Sequence, residues 1–133
     1  MRKIFSLALL IGLLGCTGNS QQTNLDGVWI PVKQEIGGMQ LPEAAFSSQK
    51  LELNGNEYTM TAESVDKGTS TVDGNKMDIS GREGPNAGKT FKAIYKLEGD
   101  VLTICYNLNG DSYPETFSTQ DEPMFFMASF KKQ

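Results

Sequence analysis

The sequence has no histidine, only two cysteines and five prolines, and no apolar stretch longer than the one from Ile4 to Leu14. Without histidine there is no Ser-His or Cys-His pair and no imidazole ligand, which excludes the commonest hydrolase and zinc chemistries. The single apolar stretch falls short of the roughly 20 residues that a helix needs to cross about 30 Å of hydrocarbon. Basic residues are also in the minority: twelve Lys and Arg against sixteen Asp and Glu leave a net charge of −4. Nucleic acid is a poor partner for such a surface. A chain of 133 residues accommodates one small domain.

What is present begins at the N-terminus. Met1-Arg2-Lys3 is a short basic start, the apolar stretch follows, and Leu13-Leu14-Gly15-Cys16 closes it. This is the pattern of a secretory signal ending in a bacterial lipobox. It implies a signal peptide over 1–15, cleavage after Gly15, and acyl chains on Cys16 that hold the protein at a bilayer, at about 0.8 kcal/mol per buried CH₂. Thr17 stands where an aspartate would signal inner-membrane retention, so the expected location is the cell envelope, at the outer membrane if the host has one. Cys16 and the polar, small residues up to Asn24 read as a flexible tether. The folded domain is then 25–133. With Cys16 acylated, Cys105 has no disulfide partner, and its place in the apolar run Leu102-Thr103-Ile104-Cys105-Tyr106 marks it as a buried structural thiol.

From Leu25 onward the hydrophobic period is 2. Lys50-Leu51-Glu52-Leu53-Asn54, Tyr58-Thr59-Met60-Thr61 and Lys76-Met77-Asp78-Ile79-Ser80 alternate apolar with polar residues, as strands with one wet face do. Asn54-Gly55-Asn56, Asp73-Gly74-Asn75, Glu98-Gly99-Asp100 and Asn109-Gly110-Asp111 supply the positive φ that tight hairpins need. Strands are expected near 27–36, 50–54, 57–63, 67–73, 76–81, 89–97, 101–107 and 123–131. A short helical turn is expected at Leu41-Pro42-Glu43-Ala44-Ala45-Phe46, after the first strand. Tyr113-Pro114 reads as an irregular bridge, because proline cannot donate to an interior ladder. About eight sequential antiparallel strands most simply close into an all-β, up-and-down barrel, which removes both sheet edges.

Several short motifs, in order, carry a family likeness: Leu25-Asp26-Gly27-Val28-Trp29, Leu41-Pro42, Asp78-Ile79, Gly88-Lys89-Thr90, Ile94-Tyr95-Lys96-Leu97-Glu98-Gly99-Asp100, Leu102-Thr103-Ile104-Cys105-Tyr106 and Pro114-Glu115-Thr116-Phe117. Together they resemble the uncharacterised lipocalin-like domain family best known from planctomycete genomes. The resemblance implies a small calycin-type barrel and no assigned activity. It departs at Tyr113, where the family more often has arginine, so any role of that arginine does not carry over. Gly27-x-Trp29 also resembles the first-strand signature of true lipocalins. That likeness implies an indole closing one barrel end beneath a late basic side chain, Lys131 or Lys132, with Lys131 taken as the closing residue.

Two motifs that suggest chemistry do not sustain it. Gly84-Pro85-Asn86-Ala87-Gly88-Lys89-Thr90 has three residues between its glycines where a phosphate-binding loop has four, and a strand pattern rather than a helix follows. The aspartates cluster at turns without the loop spacing of a calcium site. No metal, cofactor or catalytic residue is therefore expected.

Candidate ligand-lining residues are Tyr58, Met60, Tyr95, Ile104 and Met127, on the expected inner face with Phe125 and the other alternating apolar residues. The run Pro123-Met124-Phe125-Phe126-Met127-Ala128-Ser129-Phe130 is apolar on both faces. Either its outer face is covered, by the tether or the Leu41–Phe46 turn, or it is a contact surface. Two functions follow. In one, the barrel is a cup for a small apolar or amphipathic ligand; in the other, it is solid and its surface inhibits or scaffolds an envelope protein. A cavity of a few hundred Å³ with a polar group at its mouth separates them.

Overall fold

The computed structural model describes residues 24–133, so the signal segment, Cys16 and most of the tether lie outside the described residues. Nine strands form one antiparallel sheet: β1 (Gly27–Ile36), β2 (Met39–Gln40), β3 (Lys50–Asn54), β4 (Glu57–Thr61), β5 (Val65–Asp73), β6 (Lys76–Glu83), β7 (Thr90–Glu98), β8 (Val101–Asn107) and β9 (Phe125–Lys132). Each of β3 to β9 pairs with its sequence neighbour, and β9 pairs back onto β1, which closes an eight-stranded up-and-down barrel. The short β2 is an extra strand folded onto the far end of β1, and a 3-10 turn at Glu43–Ala45 links it to β3. The Gly37-Gly38 turn that makes β2 possible places both glycines at positive φ, 57° and 82°. That hairpin was not anticipated, because the long β1 absorbs its pattern.

The core follows strand alternation. Trp29, Leu51, Leu53, Tyr58, Met77, Ile79, Ala93, Tyr95, Leu102, Ile104, Ala128 and Phe130 point inward together. A bulge between Pro31 and Lys33 shifts the register of β1 against β9. Phase matters most in β9, where the inward residues are Phe126, Ala128 and Phe130 rather than Phe125 and Met127. Apolar residues on both sides left the phase open in the sequence, and a shift of one residue exchanges the faces.

The outer face of β8 and β9 is covered by the chain that joins them, while the tether, the other expected cover, lies mostly outside the described residues. Register places Lys76, Ile94, Cys105, Met127 and Glu35 in one outward row across five strands. The connection between β8 and β9, residues 108–124, lies along this row as a strap. Tyr113 is held under Lys76 and Lys92, whose Nζ atoms stand 5.0 Å and 4.5 Å from its ring centroid, and its hydroxyl donates to Asp78 Oδ1 at 2.7 Å. Phe117 lies beneath Lys96, Cys105 Sγ reaches the Ser118 carbonyl at 4.0 Å, and the fully buried Thr119 donates to Glu35 Oε1 at 2.9 Å. Along 124–130 only Met124 is exposed.

Candidate functional site

One end of the barrel is packed around Trp29, beside a second, more polar cavity of about 390 Å³ lined by Leu25, Asp26, Leu53, Ser70, Val72 and Met77. Trp29 sits there at 2% exposure, and its indole N–H donates to the Leu25 carbonyl at 2.9 Å, so the residues before β1 fold beneath it. Burying a tryptophan removes roughly 150–250 Å² from water, about 4–6 kcal/mol of gross transfer free energy. The cation above the ring is Lys132, with Nζ 5.7 Å from the centroid. Lys131, the closing residue that the lipocalin likeness implies, pairs with Ile30 and therefore faces the other way. Gly27 permits the arrangement: its φ is +141°, and a Cβ there would come within 2.8 Å of Lys132 Cε.

The other end is open. A cavity of about 330 Å³ runs into the barrel from it, at the low end of the roughly 300–1,000 Å³ typical of ligand sites. Its deeper wall is buried, with Leu51, Leu53, Tyr58, Met77, Ile79 and Ile104. Its partly exposed rim comprises Met60, Asn86, Phe91, Tyr106, Leu108 and Phe126, near the strand ends remote from Trp29. The space arises from β5, whose inward positions are Asp66, Gly68 and Ser70. Three small or short residues in a row leave the volume that the aliphatic residues of β3, β6 and β8 do not fill.

Asp66 is the chemically distinctive residue of this cavity. It is 8% exposed, and three donors converge on it: the Tyr58 hydroxyl at 3.0 Å and Asn86 Nδ2 at 2.8 Å on Oδ2, and the Asn86 backbone N–H at 3.1 Å on Oδ1. A buried carboxylate without partners would cost several kcal/mol, and these bonds offset that cost. Burial, then the negative charge of Asp66 and its hydrogen bond, push the Tyr58 phenol well up from its usual range; burial does the same to Tyr106. Both phenols are neutral donors at physiological pH.

Asn86 reaches Asp66 because the 84–88 loop folds back onto the rim. Gly88 N–H donates to the Gly81 carbonyl, and Gly81 N–H to the Lys89 carbonyl. Two glycines allow this contact. A Cβ at Gly81 would lie 1.9 Å from the Asn86 carbonyl oxygen, and one at Gly84 would lie 2.2 Å from the Val65 oxygen. Gly84, the first glycine of the motif that imitates a phosphate loop, thus helps bring Asn86 to the cavity.

Of the residues expected in the lining, Tyr58, Met60 and Ile104 face the cavity. Tyr95 belongs to the core but lies outside the lining, with its hydroxyl donated to the Gly74 carbonyl at 2.9 Å. Met127 faces outward beside Cys105 for the reason of phase given above, and Phe126 takes the lining place. Asp66 reads in the sequence as one more turn aspartate, although it alternates there with Gly68 and Ser70. Asn86 carried no comparable signal. Among the described residues, no group of three or more acidic or cysteine side chains gathers as a metal site, and no helix is long and apolar enough to cross a membrane.

No family model and no curated protein matches the chain. A crystal structure of an uncharacterised protein from Bacteroides eggerthii superposes with a TM-score of 0.52, covering 83% of this chain and 100% of that one at 10% identity. At that identity the likeness is one of fold.

Proposed function

We propose that this chain is a lipid-anchored lipoprotein of the bacterial envelope whose lipocalin-like barrel holds a small apolar or amphipathic molecule. The observation that carries the reading is the cavity of about 330 Å³, apolar along its depth, with the Asp66–Tyr58–Asn86 group set into its wall near the rim. A solid barrel working through its outer surface has less support, since the strap already covers the outward apolar row. The lipobox ending at Cys16 supports the anchor and the envelope location. The absence of histidine argues against the commonest catalytic arrangements, so the role we assign is binding.

Native mass spectrometry tests this on the domain from Gln21 onward, which contains the whole closed sheet, purified from its own host. A reproducible bound small molecule, released on denaturation, is the expected result. A protein that is consistently free of ligand, with no uptake from an extract of host lipids, would overturn the cup and return weight to a surface role.

A further inference from the structure

We propose that the cavity selects an amphiphile with a cationic head, an organic ammonium whose nitrogen seats on the Asp66 carboxylate while its hydrocarbon body lies along the barrel wall. The inference rests on the ligand-holding reading above and adds the sign of the head group. Among the described residues, Asp66 is the charged residue of the lining, and no lysine or arginine lines the cavity with it. A fatty acid or other anionic amphiphile would bring a second negative charge to a carboxylate that is 8% exposed, where water screens it poorly. An ammonium brings the opposite charge and donors only.

The carboxylate has capacity for it. Among the described residues, Oδ2 accepts from Tyr58 and Asn86 Nδ2, whereas Oδ1 accepts only from the Asn86 backbone, so a lone pair of Oδ1 remains for a further donor. Arg82, whose charge acts on Tyr58, does not supply that donor. It pairs instead with Glu57 Oε1 at 3.4 Å on the exposed surface.

A second, independent feature points the same way. Phe91, Tyr106 and Phe126 stand on the rim, and the Tyr106 and Phe126 rings lie 5.8 Å apart at 34°. Aromatic faces at an entrance attract cations and offer nothing comparable to a carboxylate.

The test is a titration of the domain from Gln21 onward with three probes that share one tail: decylammonium, decanol and decanoate, followed by calorimetry. Decylammonium should bind about tenfold or more tighter than either of the others, the scale of one charge-assisted hydrogen bond in a poorly screened site. Asp66→Asn should weaken decylammonium by about tenfold and decanol by less than about threefold. The exposed Asp121→Asn, which removes the same formal charge elsewhere, should change neither, so general attraction to an acidic protein is separated from the site. Decanol or decanoate binding as tightly as decylammonium would overturn the cationic head and leave the cup intact. Loss of decylammonium affinity in Asp121→Asn equal to that in Asp66→Asn would overturn it too. Failure of all three probes, with no ligand found in native mass spectra, would overturn the cup and the head-group inference together. If Asp66→Asn does not fold, the wild-type ranking and the Asp121→Asn control still decide the matter.

Discussion

At the scale of single residues, strand phase does most of the work. Trp29 and Lys132 are direct cross-strand partners, so they share a face and the lysine stem runs over Gly27 to the ring; Lys131, one place away, cannot. Lys132→Ala should therefore lower stability by about 0.5–1 kcal/mol, the range for an exposed cation–π contact. Lys131→Ala should fall within about 0.5 kcal/mol of wild type, as ordinary surface changes do. Urea denaturation of the two variants side by side checks the difference. Cys105 yields a pH prediction. Burial pushes its thiol up from its ordinary 9.0 to about 11, against a smaller opposing effect of the Ser118 backbone. The unfolded thiol thus loses its proton first, and the stability that the buried neutral thiol contributes is complete below pH 9 and lost as pH rises through about 11. Wild type should lose up to about 2 kcal/mol more than Cys105→Ala across that interval. Tyr58 and Tyr106 push in the same direction in both proteins, so the comparison isolates the thiol. An equal loss in both would refute the assignment.

At the scale of elements, the strap over residues 108–124 explains why β8, and β7 at Ala93, Ile94 and Tyr95, are buried on both faces in a sheet that elsewhere alternates. It is anchored at one end by Tyr113 on Asp78 and at the other by Thr119, whose hydroxyl donates to Glu35 and accepts from Gly38 N–H at 2.9 Å. Thr119→Val keeps the shape and removes the hydroxyl, leaving the Gly38 N–H without its partner. A cost of about 0.5–1.5 kcal/mol is expected, the net worth of one such part-buried hydrogen bond. Hydrogen exchange should quicken at Gly38 and along the strap while the β3–β6 amides stay protected. Unchanged exchange at Gly38 would mean that the hydroxyl does not hold the strap. Most of this element was hidden in the sequence. The Pro114 bridge was legible because proline disrupts a ladder, but the destination of the bridge depends on Lys76, Lys92 and Glu35, three residues on three other strands.

At the scale of the whole molecule, the barrel is closed by β1 and β9 and the cavity opens away from Trp29. The anchor belongs at this scale too. Cys16→Ser removes the proposed acylation site, and the processed protein should move from the membrane pellet to the soluble fraction, because two or three acyl chains are the proposed hold. Membrane retention after signal cleavage would reject the lipoprotein assignment. The strands, their hairpins and the single-sheet order were determined by the sequence itself, since period 2 and the Gly and Asn turns act between neighbours along the chain. Three strands, at 27–36, 50–54 and 101–107, even end where the pattern ends. Tertiary structure alone decided the phase of β9, the course of the strap and the existence of the cavity. Phase was ambiguous where both faces are apolar, and burial on one side only appears once the strap is laid down. The cavity is a difference in volume: Gly68 and Ser70 are small on one strand, and whether that leaves space depends on which side chains face them from across a closed barrel. Asp66 was visible throughout, but its meaning came from Asn86, twenty residues away, folding back to hold it.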